Sequence, residues 1–322
     1  MPTVKQPLRG LIPSLFVIVF SLLFIFLGER LFNLTPGEIA VYALFFVWTA
    51  FVISLAGNWP VSGWKQPAVG LFFVTVALAL GILHPFIMEW LGYGPEWAWP
   101  MISNLFLGVG LVMAFDNGLA GDMKQPMAVF SNALFMYIFA IVALLWFGFV
   151  PAIWFAMFVF VFFWMEKWPF QQTKQPAKGI MLFVVMGFFA LLLEYCFEFA
   201  GTTFFNPDAG LWFVTFVWWL VLSSWVFETW PLQQVKQPVK GIGGLILSVV
   251  MTFATYFVIV DVLAFEVGAA GMYVWVFVSW LYSWDIIFGK WPAERPDKVS
   301  TKDREITRPD KTDGLTGGGQ KA

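Results

Sequence analysis

Few side chains in this sequence are placed to do chemistry, and their types restrict that chemistry. One His (His84) and one Cys (Cys196) exclude an intrachain disulfide, a Cys/His zinc site and a cysteine-held iron–sulfur cluster. A haem held by two histidines of one chain is excluded for the same reason, so neither a metal nor a cofactor is expected. His84 stands directly before Pro85 inside an apolar run, where the proline should kink the helix and free a carbonyl. It is the candidate titrating group, weighed against the plainer role of a packed or interfacial residue. Ser248, Thr252 and Thr255 recur at helical spacing and form one polar stripe, and Asn104 and Asp285 also fall inside apolar runs. These five form a candidate polar path; the plainer reading of the stripe is hydrogen bonding between helices. No Asp-x-x-Asp or nucleophile–base cluster occurs before Pro292, so a catalytic role is not expected.

The elements that must position these groups follow from composition. Of 322 residues 60% are hydrophobic and only 12% charged, with 39 Phe and 19 Trp. Soluble domains carry roughly 25% charged residues. A soluble enzyme is therefore excluded, and the absence of a basic patch excludes nucleic acid as a partner. Apolar runs cover about 9–28, 38–57, 67–90, 99–118, 126–148, 151–168, 176–199, 209–229, 238–261 and 267–289. Crossing a bilayer takes about 20 apolar residues. The fold class expected is an all-α integral membrane protein of about ten transmembrane helices. The first run lacks a small-residue cleavage site and reads as a retained helix.

Repeats organise these runs. Lys-Gln-Pro occurs at Lys5, Lys65, Lys124, Lys174 and Lys236, at spacings of 60, 59, 50 and 62 residues, each time just before an odd-numbered run. A Gly follows the Pro by three residues at Gly10, Gly70, Gly179 and Gly241, and a second base follows it by two at Arg9, Lys178 and Lys240. Trp-Pro closes even-numbered runs at Trp59, Trp168, Trp230 and Trp291, and a second Trp precedes three of these by eleven residues, at Trp48, Trp219 and Trp280. This predicts five tandem helical hairpins of the same orientation in a membrane domain over 1–291.

Proline suits a helix start, lysine reaches lipid phosphates, glycine admits close helix approach, and tryptophan sits at headgroup level. Anchoring of the spans is thus the plain reading of these motifs, and the functional alternative is a repeated site for anionic headgroups or a partner protein. Asp116, Glu166 and Glu228 stand eight residues before Lys124, Lys174 and Lys236, as candidate interfacial ion pairs or a charged ring at a pore mouth. The segment 292–322 holds seven basic and six acidic residues with no apolar stripe, and is expected to be a disordered charged tail.

Charge also sets the expected orientation. Up to residue 291 the Lys-Gln-Pro side carries ten bases against five acids, and the other side one base, Arg30, against nine acids. The positive-inside rule puts both termini in the cytoplasm of a bacterial or archaeal cell, with the chain in its cytoplasmic membrane. The functional expectation is a transporter or channel-like protein for a small neutral or weakly polar solute. The alternative is a non-catalytic scaffold or subunit of a larger membrane complex. The expected partners are the lipid bilayer, anionic headgroups at the cytoplasmic face, and membrane subunits or further copies of the chain.

Overall fold

Each Lys-Gln-Pro proline starts a helix, because its carbonyl accepts the first helical hydrogen bond while its missing N–H leaves nothing to satisfy. Pro7, Pro67, Pro126, Pro176 and Pro238 accept from Leu11, Leu71, Phe130, Ile180 and Ile242 at 2.9–3.2 Å. The computed structural model describes residues 7–54, 60–61, 63–92, 108, 110, 112, 114–115, 123, 126–147, 150–202 and 206–288. Among them are α1 (Leu8–Leu31), α2 (Pro36–Ser54), α3 (Ala68–Trp90) and α4 (Met127–Phe147). There follow α5 (Val150–Trp164), α6 (Ala177–Phe199), α7 (Pro207–Val221), α8 (Val239–Phe257) and α9 (Val267–Phe288). Wider π turns, Leu222–Val226 and Val258–Val262, extend α7 and α8. The run over 99–118 lies largely outside the described residues; Gly108, Gly110, Val112 and Ala114 within it are helical and buried.

Among the described residues five stretches are long and apolar enough to cross a membrane: α1, α3, α6, α8 with its π turn, and α9. The helices divide into two kinds. Along α2 and α9 most side chains are buried, as in Ala40–Ala50 and Val276–Trp284, and α7 buries more than one face from Leu211 onward. Helices α1, α3, α4, α6 and α8 bury one stripe. Eight residues after the Lys-Gln-Pro lysine the buried residue is Pro13, Phe73, Asn132, Leu182 or Gly244, and twelve after it Val17, Ala77, Met136, Met186 or Ser248. The remaining faces present large apolar side chains outward, such as Leu15 and Leu22 on α1 and Ile246, Val250 and Phe253 on α8. Continuous apolar faces of this kind suit lipid, not water.

The inner helices form a row, α2 against α9, α9 against α7, and α7 against α5. Aromatic rings lock each joint: Phe46 with Trp280 at 4.9 Å between centroids, Phe51 with Tyr282 at 5.3 Å, Phe213 with Trp275 at 5.9 Å and Trp154 with Phe213 at 5.3 Å. Between lipid-facing helices, packing and ring contacts of this type replace the hydrophobic drive of soluble folds. The striped helices lie outside the row: α3 on α2 and α9, α6 on α5, α8 on α7 and α5, α1 on α9 and on the π turn that ends α7. Where they approach most closely there is no side chain. A Cβ on Gly81 would stand 2.8 Å from the Phe46 backbone nitrogen, so α3 meets α2 backbone to backbone. Helix α3 runs through Pro85 to Trp90 without interruption.

Candidate functional site

At the Lys-Gln-Pro end, the glutamine of the motif joins two helices distant in sequence. The Gln66 amide donates to the Ile287 carbonyl at 2.9 Å, that of Gln175 to Ala114 at 3.0 Å, and that of Gln237 to Trp164 at 3.4 Å. Ile287 and Trp164 are in the last turns of α9 and α5, where carbonyls lack partners within their own helix. The same glutamines turn their side-chain oxygens back on the outer helix, accepting from the amides of Gly70, Gly179 and Gly241 at 3.0–3.1 Å. One side chain thus caps an inner helix and fixes the start of an outer one. The glycines admit the approach: a Cβ there would overlap the ring of Phe288 at Gly70 and of Phe115 at Gly179, and would meet Met165 at 2.9 Å at Gly241. The sequence reading gave roles to Lys, Pro and Gly of this motif but none to Gln, whose fivefold recurrence was the signal available. Gln237→Leu strands the Trp164 carbonyl and the Gly241 amide, so a loss of about 1–2 kcal/mol is expected, read as a lower thermal midpoint in detergent.

The charges at this end pair across the same joints. Glu228 pairs with Arg9, and Glu166 with Lys240 at 2.5 Å. The acids therefore take the second base of a distant motif, not Lys174 or Lys236. The backbone turns each acid into position: Glu166 and Lys167, and again Glu228 and Thr229, are consecutive left-handed residues at φ 51–63°. Non-glycine residues rarely adopt this conformation. Lys65, Lys174 and Lys236 are exposed and hold no ion pair among the described residues. Lys5, Lys124 and Asp116 lie outside the described residues.

At the opposite end, aromatic donors hold the acids. The Trp154 indole donates to Glu194 at 2.5 Å, the Tyr256 hydroxyl to Asp208, and the Tyr273 hydroxyl to Glu29. Each pair joins an outer helix to an inner one: α6 to α5, α8 to α7, α1 to α9. Midway along, the inner tryptophans meet one register position of the outer helices, nineteen residues after the lysine. Trp48 packs edge-on to His84 at 5.4 Å, Trp219 donates to the Thr255 hydroxyl at 2.9 Å, and Trp280 packs edge-on to Phe24 at 6.2 Å.

His84 has both ring nitrogens engaged. Its Nδ1 lies 2.8 Å from the Leu80 carbonyl, which makes Nδ1 the donor and leaves Nε2 to accept from the Tyr137 hydroxyl of α4. Phe45 stacks on the ring at 5.1 Å. Because Phe24 fills the same position in α1, an apolar ring fits there. His84→Phe alone is expected to cost about 1–3 kcal/mol by stranding the Tyr137 hydroxyl, while the double variant with Tyr137→Phe should return to within about 1 kcal/mol of wild type. Thermal unfolding of the four proteins checks this.

The residues proposed for a polar path are distributed over two helices. Ser248 and Thr252 are buried on the α8 stripe that also carries Gly244, against which Trp164 of α5 packs, and Thr252 donates to the Ser248 carbonyl at 2.8 Å. Thr255 is taken by Trp219. Asp285 is half-buried on α9, and Asn104 lies outside the described residues. Among the described residues no group of three or more His, Cys, Asp or Glu is placed to hold a metal ion. Comparison with protein-family models, with curated proteins and with solved structures gave no match.

Proposed function

We propose that the chain is a non-catalytic membrane scaffold of ten spans in five parallel hairpins, closed so that its first hairpin seats on its last. The stepping of the joints supports the closure. Each outer helix lies against the inner helix one repeat earlier, and its glutamine or second base reaches the inner helix two repeats earlier. Gln237 of the fifth repeat reaches the third, and Gln175 of the fourth reaches the second. The same step wraps around the chain ends: Gln66 of the second repeat reaches α9 of the fifth, and Arg9 of the first reaches Glu228 at the end of the fourth.

The observation that carries the scaffold reading is the aromatic interlocking of α2, α9, α7 and α5, which packs rings into each joint between inner helices. The Lys-Gln-Pro face, with both termini, lies on the cytoplasmic side of a bacterial or archaeal cytoplasmic membrane in this reading, and its lysines meet anionic headgroups there. The partners are lipid and further membrane subunits or copies of the chain. Purification in mild detergent should retain a subunit in fixed stoichiometry. A protein that purifies alone and supports solute flux in proteoliposomes would overturn the proposal.

A second reading, transport of a small neutral or weakly polar solute, is favoured by buried polar atoms with no hydrogen-bond partner among the described residues. These are the hydroxyls of Ser21, Thr215 and Ser248 and the indole nitrogens of Trp48, Trp280 and Trp284. In hydrocarbon such groups are costly unless something polar visits them. Under this reading Asp285, Ser248, Thr252, Thr255 and Asn104 line the path, and Asp285→Asn lowers flux.

A further inference from the structure

We propose that Lys65, Lys174 and Lys236 are each a site for an individual anionic phospholipid, holding one phosphate at the lysine and the acyl chains along the outer helix that follows. This deepens the lipid contact in the scaffold reading, yet rests on charge and exposure at the outer helices, not on what fills the interior.

Three observations lead to it. First, the positive charge at this end is divided into two sets with different fates. Two of the three second bases are consumed within the protein, Arg9 by Glu228 and Lys240 by Glu166. Lys65, Lys174 and Lys236 are exposed, each at the start of an outer helix, and hold no ion pair among the described residues. An uncancelled charge repeated at one end attracts anions, and basic residues near a charged leaflet are drawn to its headgroups.

Second, each of these lysines is continued along its helix by an outward apolar track. Leu71 follows Lys65, Ile180 and Val184 follow Lys174, and Val239, Ile242 and Ile246 follow Lys236, all exposed. A ligand that satisfies both features in one molecule has an anionic head and a long apolar tail. A free phosphate or nucleotide leaves the track bare, and an acidic soluble protein leaves it to other lipids.

Third, the level of this end is marked by ring side chains suited to headgroups. Trp64 and Trp230 are both exposed beside it, and amphipathic rings of this type favour the interface. Choline headgroups bring a cation of their own toward the lysine, so the chemistry selects phospholipids with net negative charge.

The test uses the full chain reconstituted in vesicles of equal phosphatidylglycerol and phosphatidylcholine, re-extracted in mild detergent, with the retained lipid quantified by mass spectrometry. Wild type is expected to retain phosphatidylglycerol over phosphatidylcholine by about threefold or more, falling toward the bulk ratio in the triple variant K65Q/K174Q/K236Q. A control with three charges removed from the tail, K298Q/K302Q/K311Q, should keep the wild-type ratio. Should the triple variant fail to fold, salt gives an independent reading on the wild-type protein. Raising NaCl to about 0.5 M during extraction should cut the enrichment, while inorganic phosphate at equal ionic strength should do no more than chloride. Equal retention of both lipids by wild type, an undiminished ratio in a folded triple variant, or displacement specific to inorganic phosphate would each overturn the proposal. None of these results depends on whether a partner subunit copurifies or solute flux occurs.

Discussion

Gly70→Leu is expected to lower the thermal midpoint of the purified protein well below that of wild type. A Cβ at Gly70 overlaps the Phe288 ring, and Gln66 Oε1 lies 2.9 Å from the same point. The ring cannot swing away freely, because it stacks on Trp284 at 4.7 Å, which itself stacks on Phe16 at 5.0 Å. The added side chain must therefore push α3 off the end of α9 and break the Gln66 bond to Ile287. Overpacking of this kind costs about 1–3 kcal/mol, occasionally more. Gly187 on α6 is the control, since nothing lies within 4 Å of a Cβ there. Gly187→Ala should hold or raise stability, by up to about 1 kcal/mol from helix propensity. A Gly70→Leu protein as stable as wild type would mean that α3 does not seat on α9 as described.

Reversing Glu228 to Arg is the second large effect. Arg9 and Glu228 are 12% and 25% exposed, between the surface pairs worth 0–1 kcal/mol and the buried ones whose disruption costs roughly 3–5. Glu228→Arg places two cations where one pair stood and should cost about 1–3 kcal/mol on that scale. The exchanged double variant, Arg9→Glu with Glu228→Arg, should recover most of the loss, because the attraction between the two side chains is indifferent to which carries which sign. The coupling free energy from the four proteins measures it directly. A coupling near zero would leave the docking of α1 resting on its buried stripe and the Tyr273–Glu29 hydrogen bond.

Much of the local structure was legible. The described helices lie over nine of the ten apolar runs, since run length and the proline starts are local properties; α3 at Ala68–Trp90 against the expected 67–90 is typical. The role of Gly70, Gly179 and Gly241 in close approach was also readable from residue type. What was not readable is which helix each one approaches. Adjacent runs suggest that the two helices of a hairpin are chief partners, yet α3 rests on α2 and α9, and α8 on α7 and α5, all from other hairpins. Nothing in a single repeat encodes that step, because it depends on how the whole set closes. For the same reason the acids were set beside the nearest Lys-Gln-Pro lysine, eight residues away, while Glu166 takes Lys240, 74 residues on. The polar stripe of α8 shows the limit in the other direction. Periodicity placed Ser248, Thr252 and Thr255 on one face, but only the neighbours Trp164 and Trp219 show that this face meets inner helices.

Cross-linking reads out the closure of α1 onto α9 and the end of α7. In a chain with Cys196→Ser, cysteines are placed at Arg9 and Glu228, whose side chains touch across 219 positions of sequence. A short bismaleimide added to native membranes should join them within one chain, giving a monomer of altered mobility, with no product when either cysteine is omitted. Absence of that product while the protein remains folded, or formation of dimers only, would contradict the closed arrangement.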